Sequence, residues 1–162
     1  MHPTINIQQP QPYDLVARTI LIAGSAAAFE GTLTATLTDG HDEVRSFLQV
    51  GSMGIKQFQG QIEVPPHAAF KLPRLFLTLA DDTANENGPS VTLPILFGPL
   101  ILPDYSGWHP YVVKAGDTLI KIARDQYGSE DYGPIFAANQ DILASPNLIK
   151  VGQLLRIPRN DI

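Results

Sequence analysis

The chain has 162 residues, 44% of them apolar and 17% charged, a balance that excludes a disordered chain and allows one domain or two small ones. Its formal net charge is -5, and neither residues 1–103, with five basic and nine acidic side chains, nor residues 104–162, with six and seven, holds the basic excess a phosphate backbone demands, so no nucleic-acid partner is expected. With no cysteine there are no disulfides, thiolate metal sites or cysteine nucleophiles, and no apolar run approaches the ~20 residues of a membrane-spanning helix, so no membrane insertion is expected.

The first hundred residues read as short strands. Thr4 to Gln8 alternate and meet Pro10 and Pro12, which end ladder pairing. Leu15 to Ala23 form the next run, followed by a small-residue link, Gly24 to Ala28. In Gly31 to Thr38, Leu33, Ala35 and Leu37 alternate with Thr34, Thr36 and Thr38, the pattern of a half-buried strand. Asp39-Gly40 signals a turn, and Val44 to Val50 return from it. Phe58 to Val64, Leu75 to Leu79 and Val91 to Phe97 complete the set, with Asp81 to Pro89 as a polar, mobile loop and Pro94 suited to an edge or a bulge. Seven such runs without a helical period predict an antiparallel β-sandwich.

The motifs IxIxxP near the start, GSAAAFEG (Gly24–Gly31), VGSMG (Val50–Gly54) with Phe58-Gln59-Gly60, and the closing LPILFGP resemble the bacterial immunoglobulin-like Gmad2 domain over roughly residues 4–100. That resemblance implies a fold associated with envelope and spore-related proteins, with no established chemistry. Pro99 to His109 reads as a short, stiff join. The expected division is therefore a sandwich over 1–100, a linker over 101–109 and a second domain over 110–159. Trp108, the single tryptophan, is expected to pack between the domains or against the base of the second.

Residues 111–158 predict strand, helix, helix, strand with almost no slack. Tyr111, Val112 and Val113 form a strand, and Gly116 permits the bend after it. Leu119, Ile122 and Ala123 lie at i, i+3, i+4 on an amphipathic helix. Asp117 or Thr118 can cap it, and Gly128 fits its C-terminal end. Pro134 is tolerated only in a first turn, so the second helix starts near Asp131 or Tyr132, carries Ile135, Phe136 and Ala138, and ends at Asn139. Leu154 to Ile157 form the last strand, stopped by Pro158.

The series VxxGDTLxxIAxxxYG, IFxAN and Gly-Gln-x-Leu-x-Ile-Pro resembles the LysM module across this whole segment. The resemblance implies a small α+β (βααβ) domain that binds N-acetylglucosamine-containing glycans such as peptidoglycan or chitin in a shallow groove between two loops. On this chain the resemblance places those loops at Gly116–Leu119 and about Pro146–Val151, with Gly116, Asp117, Thr118, Leu119, Asn147, Leu148, Ile149 and Lys150 as the candidate contacts. Backbone groups would bond the acetamido group, and Leu119, Leu148 and Ile149 would meet the sugar faces. The longer loop Asp141–Gln153 makes the module resemble more closely the single LysM domains of cytoplasmic potassium-binding proteins and of phage-tail-like machines. Those potassium-binding relatives carry a BON domain that is not read here, so the resemblance does not transfer ion binding.

Chemistry of other kinds finds no pattern. His2, His41, His67 and His109 are scattered without ligand spacing, and Asp39, Asp42, Glu43, Asp81 and Asp82 read as solvated turn carboxylates. No metal, cofactor or catalytic residue is expected. Two functions remain: a non-catalytic glycan-binding protein with the immunoglobulin-like domain as spacer or interaction module, or an assembly protein whose domains bind protein partners or copies of the chain. The opening residues carry no secretory pattern, so a cytoplasmic chain or one exported by a signal-independent route is expected, with the cell envelope or exterior as the alternative.

Overall fold

A computed structural model describes residues 5–83 and 88–160. The chain divides into two compact units between Phe97 and Gly98. Thr4 and the centre of the polar 81–89 loop lie outside the described residues.

The first unit is a sandwich of two sheets. Strands β1 (Ile5–Gln9), β3 (Thr19–Ala26) and β6 (Lys56–Glu63) form an antiparallel sheet in the order β1-β3-β6. Strands β2 (Leu15–Val16), β4 (Thr32–Thr38), β5 (Glu43–Gln49), β7 (Arg74–Ala80) and β8 (Ser90–Phe97) form the other, in the order β2-β8-β7-β4-β5. It is antiparallel except where Leu15 and Val16 run parallel to Leu96 and Phe97. Strand pleating sends alternate residues inward, so Ile20 and Ile22 of β3 and Ile62 of β6 meet Leu33 and Leu37 of β4 and Leu75, Leu77 and Leu79 of β7. Each is at most 1% exposed, worth about 1.5–3 kcal/mol per side chain relative to solvent.

Two differences from the sequence reading have local causes, and Pro94 sits, as expected, where one side of its strand has no ladder partner. The run Leu15–Ala23 is two strands in two sheets, the chain crossing over at residues 17–18. Gly24, Ser25 and Ala26 belong to β3 and are no link. A Cβ on Gly24 would lie 2.0 Å from the Asn6 carbonyl oxygen, so the glycine is what lets β1 pair closely. Pro94 pairs with Phe76 inside β8. The amide of Leu96, two residues on, points away from β7 to the Asp14 carbonyl, so the N–H that Pro94 lacks is on that side, where β2 no longer pairs.

The second unit begins with a 3-10 turn, Gly98–Leu100, and an antiparallel ribbon of β9 (Tyr105–Val112) and β10 (Leu154–Asn160), joined through α1 (Leu119–Tyr127) and α2 (Gly133–Ala138). Residues 105–109, read as linker, are therefore strand, and Trp108 pairs with Pro158 at 40% exposure. β10 also continues through Pro158 to Asn160. Arg156 gives both its N–H and its carbonyl to the Asn139 side chain, so Pro110 and Arg156 form a non-hydrogen-bonded pair. Pro158, two residues on, likewise turns its missing N–H away from β9, and its carbonyl accepts the Tyr127 hydroxyl at 2.8 Å. Burial raises that hydroxyl's pKa. Val113, Leu119, Ile122, Ala123, Ile135, Leu143, Leu155 and Ile157 make the core.

Candidate binding groove

The first wall of the groove is the turn between β9 and α1. Asp117 N–H donates to the Lys114 carbonyl at 3.1 Å, with Gly116 at φ +84 in the position where that turn needs a left-handed residue. Asp117 Oδ2 accepts the Lys114 N–H (2.8 Å) and the Tyr111 hydroxyl (2.7 Å), and Lys121 Nζ lies 3.5 Å from Oδ1. The Lys114 amide, then the Tyr111 hydroxyl, hold the Asp117 carboxyl below its usual range, and Asp117 in turn raises the Tyr111 pKa. Thr118, with extended backbone, is the N-cap of α1: its Oγ1 accepts from Lys121 N–H at 3.1 Å. The cap is thus Thr118, and Asp117 braces the turn behind it. The N–H groups of Leu119 and Ile120 precede the first intrahelical bond and point out of the helix end.

The second wall is the loop before β10. Leu143, 3% exposed, anchors it in the core and donates its N–H to the Asn139 carbonyl at 2.9 Å. A turn closed by Leu148 N–H on the Ser145 carbonyl (3.1 Å) carries Pro146 and Asn147, and Lys150 N–H donates to Gln153 Oε1 at 3.1 Å. Between the walls lies a groove of about 270 Å³, lined by Asp117, Thr118, Leu119 and Ile120, by Pro146, Asn147 and Ile149, and by Tyr132 from the start of α2.

Of the residues read from sequence, Asp117, Thr118, Leu119, Asn147 and Ile149 line this groove together. Gly116 shapes the turn behind it, while Leu148 and Lys150 stand on the loop outside the lining. Leu119 is 2% exposed and packs in the core, so it offers a ligand its backbone N–H and no sugar-facing side chain. Ile120, 42% exposed, is the apolar side chain that this wall presents to the groove. Its signal was an isoleucine one step off the core-facing stripe. Pro146, where the second loop was expected to begin, lines the groove as well, whereas Tyr132 was not expected there and local sequence offers no signal for it.

The fold is that of an immunoglobulin-like sandwich followed by a small α+β LysM domain. Residues 4–79 match the Gmad2 family model, the immunoglobulin-like domain of bacterial spore germination, and residues 111–158 match the LysM domain model. Over 49 residues the chain is 51% identical to the potassium binding protein Kbp of Escherichia coli O6:H1, a stretch covering 30% of this chain and 33% of that relative. The chain thus spans about a third of the relative's length. Both domain types are binding modules, typically non-catalytic. No helix among the described residues is long and apolar enough to cross a membrane.

Proposed function

We propose that the LysM groove binds an N-acetylglucosamine-containing glycan, peptidoglycan or a related polymer, with the immunoglobulin-like domain (residues 1–100) serving as spacer or interaction module. The observation that carries this reading is a division of labour in the groove. Asp117 and Thr118 are committed to the turn and the cap, so the walls offer exposed Ile120 and half-buried Ile149 beside outward helix-start N–H groups. Apolar walls suit sugar-ring faces, and N–H donors suit an acetamido carbonyl. Two thirds of the potassium-binding relative lies outside the matched stretch, and ion binding is not carried over with the module.

The test is co-sedimentation with purified peptidoglycan, backed by titration with an N-acetylglucosamine oligomer. Wild type is expected to pellet with the polymer, and Thr118→Arg and Ile149→Asp to bind at least roughly tenfold more weakly, a loss of about 1.4 kcal/mol or more. Wild type remaining in the supernatant and silent in the titration defeats the glycan reading.

A further inference from the structure

Three tyrosines pack against the core of the LysM unit, and two of them use their hydroxyls within the fold. Tyr111 donates to Asp117 Oδ2 at 2.7 Å, and Tyr127 to the Pro158 carbonyl at 2.8 Å. A tyrosine packed on a core ordinarily finds such a partner. Tyr132 is the exception: it is half-buried, it lines the groove, and its hydroxyl has no partner among the described residues. The turn that presents it is nonetheless fixed on both sides. Asp131 N–H donates to Ser129 Oγ (3.2 Å) and Gly133 N–H to Asp131 Oδ1 (2.9 Å). The Tyr132 carbonyl accepts Phe136 N–H (3.0 Å) to open α2, whose first turn Pro134 stiffens.

The other polar side chains of the lining divide in the same way. Asp117 is held by the Lys114 amide, the Tyr111 hydroxyl and Lys121, and Thr118 caps α1. Asn147 has its backbone N–H on Ser145 Oγ at 3.4 Å, but its side-chain amide has no partner among the described residues. No lysine, arginine or histidine lines the groove, so polar recognition by side chains falls to two neutral groups, the Tyr132 hydroxyl and the Asn147 amide.

We propose that Tyr132 is a specificity-determining residue of this groove. Its ring stacks on the C–H face of one sugar unit, and its hydroxyl, together with the Asn147 amide, bonds the hydroxyls of that sugar. The proposal rests on the glycan reading and separates two tasks within it: the N–H groups at the start of α1 take the acetamido carbonyl, and Tyr132 takes the ring. Ile120 and Ile149 supply apolar area, but only an aromatic ring offers a flat face whose negative quadrupole attracts the polarised C–H groups of a pyranose. Tyr132 therefore distinguishes a sugar from any other chain that bears an acetamide.

Nuclear magnetic resonance titration of the full chain with an N-acetylglucosamine tetramer tests this. In wild type the axial protons of one sugar unit are expected to shift upfield under the ring current, saturably. Tyr132→Phe keeps the flat face, so the upfield shift is expected to persist with binding about threefold weaker, the effect of one neutral hydrogen bond. Asn147→Ala is expected to weaken binding by about the same factor. Tyr132→Leu is expected to lose the upfield shift and to bind roughly tenfold more weakly, while its amide spectrum stays that of a folded domain. Wild type that binds the tetramer with no upfield shift, Tyr132→Phe that loses the shift, or a folded Tyr132→Leu that binds like wild type overturns the assignment of Tyr132 and leaves the glycan reading standing. Wild type that gives no saturable change with the tetramer overturns both.

Discussion

Replacing Asp39 with alanine is expected to destabilise the sandwich by about 3 kcal/mol or more, because one buried carboxylate satisfies four backbone donors that alanine would leave unpaired. The residue follows β4 and is 6% exposed. Its Oδ1 accepts from His41 N–H (2.8 Å) and Asp42 N–H (3.0 Å), closing the hairpin turn. Its Oδ2 accepts from Lys71 N–H (2.6 Å) and Leu72 N–H (3.0 Å), holding the segment that leads into β7. Burial alone would raise this carboxyl, but the amides of Lys71, Asp42, His41 and Leu72 override burial and hold it well below its ordinary value of 3.8. A carboxyl depressed on folding contributes stability above its unfolded value and loses it as pH falls through the folded one. The gap between wild type and Asp39→Asn is therefore expected to be widest at neutral pH and to shrink in acid below about pH 4. Far-UV circular dichroism melts across pH measure it. A variant as stable as wild type at pH 7 contradicts the clamp.

The contrast between Asp39 and the strands around it shows where sequence stops being informative. The alternation in β4 follows from its own residues, since leucine and alanine at one parity and threonine at the other have only one way to face a core. Asp39 and Asp81 read as solvated turn carboxylates, and both are buried. Asp39 serves amides 32 and 33 residues away, and Asp81 accepts the Phe29 N–H across 52. No window of sequence contains those partners. The same limit hid the tail of β3, because Gly24 reads as a break until the close approach of β1 is known. It hid the first half of β9 too, where Gly107 argues against a strand until its pairing with Arg159 of β10 is known.

The LysM unit was more legible because its signals are local: the αL glycine after α1, the proline in the first turn of α2 and the i, i+3, i+4 core stripe all act within one element. Its groove was legible only as two loops. Which side chains look into the groove depends on rotations that spacing does not encode. Leu119 and Ile120 are neighbours, yet one is core and the other is wall.

Asn139 sets the second large effect. It is fully buried, its Nδ2 donates to the carbonyls of Ile135 (2.7 Å) and Arg156 (2.8 Å), and its Oδ1 accepts from Arg156 N–H (2.8 Å). One side chain thereby stands in for the strand that would pair with the open side of β10 and also ends α2. Arg156 reinforces the joint through Asp141 Oδ1 (2.7 Å) and Oδ2 (3.1 Å). Removing the amide with Asn139→Ala leaves buried donors and acceptors unpaired, at a cost of about 3 kcal/mol, and a domain this small has few kcal/mol to lose. The LysM unit is expected to be largely unfolded in that variant at room temperature. Asn139→Asp keeps the acceptor but points a carboxylate at two carbonyl oxygens, so it is expected to be at least as damaging at pH 7. It is expected to recover in part as pH falls toward about 4, where protonation restores one donor and a folded pKa raised by those carbonyls adds stability on the acid side. Trp108 makes the readout specific, since the chain's single tryptophan lies on β9 of this unit. Its fluorescence transition is expected to vanish or shift steeply in the Asn139 variants while the sandwich still melts cooperatively by circular dichroism. In Asp39→Ala the two signals are expected to trade places, and an unshifted tryptophan transition in Asn139→Ala would show that β10 is held by something other than this side chain.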